Sequence, residues 1–182
     1  MKYATTFQFL LVSAFVFFNF FECSGQDKPE TDSMQIKLHT VAKEIMTSAK
    51  TCTLITLDEE GRPTARIMDP FPPEEDFTVW FGTNAQSRKV GQIEKDPRAT
   101  LFYVSPDMSG YVLIQGNASL VNDPEEKTSR WKKEWEQFYP GERENYLLIR
   151  VVPVRFEVVS YPHGLTGDPV TWEPPSVTLQ EK

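Results

Sequence analysis

Two hydroxyls and two cations crowd together in Thr83-Asn84-Ala85-Gln86-Ser87-Arg88-Lys89. The stretch follows an apolar run, Phe77 to Phe81, that leaves through Gly82 into a polar turn, and a short helix begins near Ser87. A helix start exposes backbone N–H groups without intrahelical partners, and these favour a bound anion. Hydroxyls from Thr83 and Ser87, with the charges of Arg88 and Lys89, would complete a phosphate cradle. Arg66, on the preceding strand, adds a further cation. A clamp of this kind at a sheet edge implies a phosphorylated cofactor or ligand. Each piece alone has a plainer reading. Arg66 could pair with Asp69 or with a carboxylate of Glu74-Glu75-Asp76, Ser87-Arg88-Lys89 could be a solvated helix start, and Trp80 and Phe81 could be core.

The elements that would position these groups read as mainly β structure. Ser33 is placed to cap a helix running to about Ala49, with Leu38, Val41, Ala42, Ile45 and Ala49 on one face. Thr51 to Leu57 and Pro63 to Met68 form a hairpin about the turn Asp58-Glu59-Glu60-Gly61. The prolines of residues 69–76 exclude regular structure. Phe77 to Phe81 is a third strand, and a second helix spans about Asn84 to Lys95 before Asp96-Pro97 stops it. Ala99 to Val104 and Tyr111 to Val121 follow, with Gly116 marking a bulge or a close approach. Asp123-Pro124-Glu125-Glu126 opens a helix that places Trp131, Trp135 and Phe138 on one face, for packing on the barrel, and Gly141 ends it. Tyr146 to Val159 is the last long strand, and the tail from Pro162 is irregular. Six strands joined mostly by short turns predict a closed or nearly closed antiparallel β-barrel with flanking helices.

Composition narrows the function classes. A net charge of -7 without a basic stripe makes a poor nucleic-acid binder. With two histidines, His39 and His163, and no cysteine cluster, a zinc site has no support. The N-terminus reads separately from the fold: Lys2, an apolar run from Phe7 to Phe21, small residues Cys23-Ser24-Gly25, then the charged stretch from Gln26. Residues 1–25 are expected to be a secretory signal cleaved after Gly25, residues 26–32 a linker, and residues 33–182 the folded domain. An uncleaved membrane anchor and lipid attachment at Cys23 are the alternatives. Cleavage leaves Cys52 as the sole cysteine, placed at the start of an apolar run where a buried, inert thiol is expected. Asn117-Ala118-Ser119 matches an N-glycosylation acceptor within a predicted strand.

In this order, Arg66-Ile67-Met68, the acidic loop, Trp80-Phe81-Gly82-Thr83, Ser87-Arg88-Lys89, Asp96-Pro97, the strand Ala99 to Val104 and Gly116 resemble the pyridoxamine 5′-phosphate oxidase-like, FMN-binding split-barrel family. The chain is most similar to the general stress protein branch, over about Ile36 to Ser160. The resemblance implies a homodimer with FMN at the subunit interface. Arg66, Arg88 and Lys89 would hold its phosphate with help from Ser87 and Thr83, and the backbone at Ile67 and Met68 would run along the isoalloxazine ring. Tyr111 stands where the vitamin B6 oxidases carry a glutamine that helps hold FMN. Trp172, in a proline-braced tail, would either cover the partner's flavin or tuck against the barrel. The Arg-x-His motif with which those oxidases grip substrate phosphate is missing from the end of this chain, Thr178 to Lys182, so oxidation of pyridoxamine phosphate is not expected.

Three functions compete at this point. The first is an exported FMN-binding stress-type protein. The second is an FMN-dependent oxidoreductase acting on a small substrate beside Trp172. The third is a cofactor-free interaction module. Related split barrels also hold deazaflavin or haem, the latter disfavoured by the lack of a histidine on a convincing strand. No side chain is an evident acid, base or nucleophile.

Overall fold

Alternation of apolar and polar residues sets the strands of the computed structural model, which describes residues 28–139 and 145–179, with side chains from Asp32 onward. The signal expected over residues 1–25, the end expected at Gly141 and the last residues of the tail lie outside the described residues. Helix α1 (Lys28–Ser48) leads into strands β1 (Cys52–Leu57), β2 (Pro63–Met68) and β3 (Val79–Asn84). Helix α2 (Arg88–Lys95) is followed by β4 (Arg98–Val104) and β5 (Gly110–Val121). Helix α3 (Pro124–Ser129) and a 3-10 turn (Lys133–Gln137) precede β6 (Tyr146–Ser160) and β7 (Ser176–Thr178). The strands form one antiparallel sheet of seven, ordered β2-β1-β4-β5-β6-β3, with β7 paired to β6.

The sheet curls but does not close. Its path ends on β2 and β3, and the segment after β2 joins β3 in a single isolated bridge, Pro70↔Phe81, among the described residues. Helix α2 reaches both edges of this split, β2 through Gln92 and β3 through Lys89. The inward residues Leu54, Phe81, Leu101, Ile114 and Phe156 are fully buried. Helix α1 adds Leu38, Val41, Ala42, Ile45 and Met46, a three-four spacing that makes one apolar stripe against β4, β5 and β6. A second cluster on the outer face joins Trp80, Trp135, Tyr146 and Leu148.

Several boundaries depart from the sequence reading, each for a local reason. Helix α1 begins ahead of Ser33, which lies within it, so residues 28–32 are helical rather than linker. Phe77 sits at φ +64, which the extended chain cannot hold, and β3 therefore starts at Val79 and carries Gly82 and Thr83 inside it. The chain then turns at Asn84, whose carbonyl accepts from Ser87 N–H, and α2 starts only at Arg88. The helix opened by Asp123 has the expected cap, with Asp123 accepting from the N–H groups of Glu125 and Glu126. It stops at Ser129, because Arg130 leaves helical geometry at ψ 42, so Trp131 and Trp135 do not share an α-helical face. Trp135 is buried and Phe138 is 68% exposed. The tail supplies β7, a seventh strand unseen in a proline-rich sequence, held by Leu179 N–H to Val154 O. Gly116 does mark a bulge: the register of β5 against β6 shifts between Gln115 and Gly116.

Cys52 is buried, and burial pushes its thiol up to about 12. The thiolate is the reactive form. Cys52 is therefore expected to resist DTNB at neutral pH until the fold is opened by denaturant. Rapid labelling of Cys52 in the native protein would contradict the burial.

Candidate functional site

The β1–β2 hairpin pairs Leu54 with Arg66 and Thr56 with Thr64, so Thr64 and Arg66 rise from the same face of β2. Helix α2, crossing the split, brings Gln92 over that face. The Arg66 guanidinium donates through Nη1 to Thr56 Oγ1 (2.6 Å) and Leu54 O (3.2 Å). Through Nη2 it donates to Thr64 Oγ1 (2.9 Å) and Gln92 Oε1 (2.9 Å). All four acceptors are neutral, so the arginine is oriented without being neutralised. The acidic loop is engaged elsewhere: Asp69 pairs with Lys132, Glu74 with Arg130 and Glu75 with Lys43. The ion-pair reading of Arg66 thus finds no support in these contacts. Thr56, Thr64 and Gln92 were missed by sequence reasoning, although the hairpin turn and strand alternation together place both threonines beside Arg66.

On the other bank of the split, Thr83 is 3% exposed at the end of β3. Its Oγ1 lies 3.1 Å from Ser87 Oγ and accepts from Lys89 Nζ at 3.1 Å. Ser87 occupies the N-cap position of α2, yet its side chain makes no capping bond, so it is turned to Thr83 instead. Arg66, Thr83, Ser87 and Lys89 thereby converge. Arg88 is close enough to act on both other cations, but it is exposed and lines a neighbouring cleft of about 380 Å³ with Gln92 and Lys95.

The electrostatics of this cluster are unfavourable as they stand. Burial lowers the pKa of Arg66, and the charge of Arg88 lowers it further. Burial likewise lowers that of Lys89, followed by the charges of Arg66 and Arg88. Half-buried cations that repel one another and meet only hydroxyls and amides fit an anion of high charge density. The depressed pKa has a sign: a protonated Lys89 favours the unfolded chain. Its penalty is full below the folded pKa and fades as pH rises through that value towards the ordinary 10.5. Relative to a Lys89→Met variant, the ligand-free protein should therefore gain thermal stability between pH 7 and pH 10. Inorganic phosphate should raise the melting temperature of the wild type more than that of the variant. Identical pH and phosphate responses in both proteins would contradict a strained cation at residue 89.

Ile67 projects from the opposite face of β2 and is 75% exposed, while Met68 is half-buried opposite Cys52. Both line a cleft of about 310 Å³ with Gly82, Thr83 and Lys89. The remaining two predicted residues stand elsewhere. Tyr111, at the start of β5, packs against Phe102 with ring centres 5.3 Å apart. Trp172 is 81% exposed at φ +63, on a loop stapled by Asp168, whose carboxylate accepts from the N–H groups of Val170 and Thr171. Gly167 admits the Trp172 backbone so closely that a Cβ there would meet Trp172 O at 2.6 Å. The loop presents Trp172 to solvent rather than tucking it against the sheet. No His/Cys/Asp/Glu group among the described residues could hold a metal ion, and none of the described helices is long and apolar enough to cross a membrane.

Residues 37–159 match the family model described as pyridoxamine 5′-phosphate oxidase like. A pyridoxine/pyridoxamine 5′-phosphate oxidase of Haemophilus influenzae is 36% identical over 78 residues, 43% of this chain and 36% of that one. The chain therefore spans only about a third of the length of that curated relative. General Stress Protein 26 of Bacillus anthracis superposes with a TM-score of 0.62 at 22% identity, covering 78% of this chain and 98% of that one. A pyridoxamine 5′-phosphate oxidase-related, FMN binding protein of Nostoc punctiforme superposes with a TM-score of 0.54 at 18% identity, covering 84% and 97%. At these identities the structural likenesses establish the fold.

Proposed function

The chain belongs to the pyridoxamine 5′-phosphate oxidase-like family, and from that premise we propose that it is an exported FMN-binding split-barrel protein of the general stress protein kind, working as a homodimer. The observation that carries the reading is the set of cations Arg66, Arg88 and Lys89 around Thr83 and Ser87, with Arg66 held by neutral acceptors alone. Arg66 and Lys89 bind the phosphate directly, Arg88 closes it from the side of α2, and the Thr83 hydroxyl, which accepts from the lysine, acts with that of Ser87 on the phosphate oxygens. Thr56, Thr64 and Gln92 fix the guanidinium plane. The backbone at Ile67 and Met68 borders the ring. Bound FMN would supply hydride or electron transfer, and the protein would supply position and electrostatics. Within one chain Tyr111 and Trp172 stand outside the cradle, so their part in the site is as groups contributed by a second copy. Export rests on the pattern of residues 1–25. Oxidation of pyridoxamine phosphate is not part of the proposal.

The test is gel filtration after incubation with FMN, read by visible absorption. Equimolar flavin eluting with a species of twice the chain mass supports the reading. Retention of a deazaflavin in place of FMN would reassign the cofactor. A protein that keeps no flavin would be read as an interaction module on the same fold.

A further inference from the structure

Helix α2 meets the split with one flank. Val90 and Ile93 are its buried residues. Lys89 and Gln92 each stand one residue earlier and one turn apart, so they share a flank, from which Lys89 reaches Thr83 of β3 and Gln92 reaches β1 and β2. Gln92 Oε1 lies within hydrogen-bond distance of three donors: Thr56 Oγ1 at 2.7 Å, Arg66 Nη2 at 2.9 Å and Thr64 Oγ1 at 3.1 Å. The direction of these bonds is fixed, because a guanidinium only donates and a hydroxyl carries one proton. Thr56 Oγ1 accepts from Arg66 Nη1 at 2.6 Å and turns its own proton to Gln92. Thr64 Oγ1 accepts from Arg66 Nη2 at 2.9 Å, with Gln92 Oε1 and Thr56 O within reach of its proton. Bonds from both banks of the hairpin thus end on one amide oxygen carried by α2.

A carboxylate would serve these three donors at least as well. Glutamate has the length of glutamine and accepts more strongly. It would also cancel the charge of Arg66, which is strained by burial and by Arg88. It would stand one turn from Lys89, which is strained by burial, Arg66 and Arg88. For the stability of the ligand-free chain, glutamate is therefore the better residue at this position. What the amide offers instead is the same orientation of Arg66 with its charge left for a ligand.

We infer that Gln92 is the specificity-determining residue of the cradle: by holding Arg66 without neutralising it, Gln92 sets the preference for a phosphorylated flavin over an unphosphorylated one. It acts through Arg66 and is a positioning residue. The inference rests on the FMN reading for the identity of the ligand, and on the Arg66 network alone for the effect of charge at residue 92. Titration of the wild type, Gln92→Glu and Gln92→Met with FMN and with riboflavin, alongside thermal melting, tests it. Gln92→Glu should bind FMN about tenfold or more weakly than the wild type and bind riboflavin equally well. Free of ligand, Gln92→Glu should melt at or above the wild type, a direction that mere damage to the site would not give. Gln92→Met removes the acceptor but leaves Arg66 charged, so it should keep more of the FMN preference than Gln92→Glu does. An unchanged ratio of FMN to riboflavin affinity in Gln92→Glu would overturn the inference. So would an equal loss for both flavins, or a larger loss of preference in Gln92→Met than in Gln92→Glu. If the wild type binds no flavin, the cofactor reading fails separately, and inorganic phosphate decides the role of Gln92. Phosphate should then raise the melting temperature of the wild type more than that of Gln92→Glu, and equal shifts would overturn the inference.

Discussion

The variant carrying both Arg66→Ala and Lys89→Ala is expected to bind FMN about 10² to 10⁴ times more weakly than the wild type. The magnitude follows from two charge-assisted hydrogen bonds of about 1.5–3 kcal/mol each, at about 1.4 kcal/mol per tenfold. The fold should survive the change. Thr56 Oγ1 already donates to Gln92 Oε1 at 2.7 Å, so the network around Arg66 keeps a hydrogen bond after the guanidinium is gone. Removing mutually repelling, half-buried cations relieves strain rather than creating it, so the melting temperature of the flavin-free variant should be equal to or above that of the wild type. Fluorescence titration with FMN, alongside thermal melting, checks both halves. An affinity within threefold of the wild type, in a folded variant, would remove Arg66 and Lys89 from the site.

Gly116→Ala is expected to be the most damaging small substitution in the sheet, with a loss of about 3 kcal/mol. Strands β5 and β6 form the longest pairing of the fold, and Gly116 stands at its register shift, opposite Pro153. A Cβ at residue 116 would lie 2.3 Å from Val152 O and 3.0 Å from Pro153 Cα. Both are backbone atoms, so neither can swing aside as a side-chain tip would. For a chain of this size such a loss corresponds to a fall in melting temperature of about 6–12 °C. Gly91→Ala is the matched control, because a Cβ there meets nothing within 4 Å on the exposed side of α2. It should hold or raise the melting temperature, since alanine favours the helix by about 1 kcal/mol over glycine. Equal melting temperatures for the two variants would show that the bulge tolerates a side chain.

Much of this was legible in the residues because local chemistry dictates it. Hairpin turn residues and strand alternation give β1 and β2, and they put Arg66 on the strand face that meets Thr56 and Thr64. The Asp123-Pro124 cap starts α3 where expected, and Gly116 marks the bulge. The misses have long-range causes. Phe77 at positive φ delays β3, and nothing in Phe77-Thr78-Val79 announces that. Three aromatics at helical spacing predicted one continuous helix, but the chain leaves helical geometry at Arg130, and Trp135 is held by Asp69, far away in sequence, and by Tyr146 at the start of β6. β7 forms because β6 offers an open edge beyond β3, a fact of topology that a proline-rich tail cannot display. Gln92 reached the site from α2 as a neutral residue with no charge to draw notice.

The central claim is that the cations at the split grip a phosphate and so select FMN. Parallel titration of the protein with FMN and with riboflavin, which has the same ring and lacks the phosphate, tests it most directly. A preference for FMN of at least about a hundredfold, shrinking as salt is added, is the predicted result. Equal affinities for the two flavins would contradict the cradle.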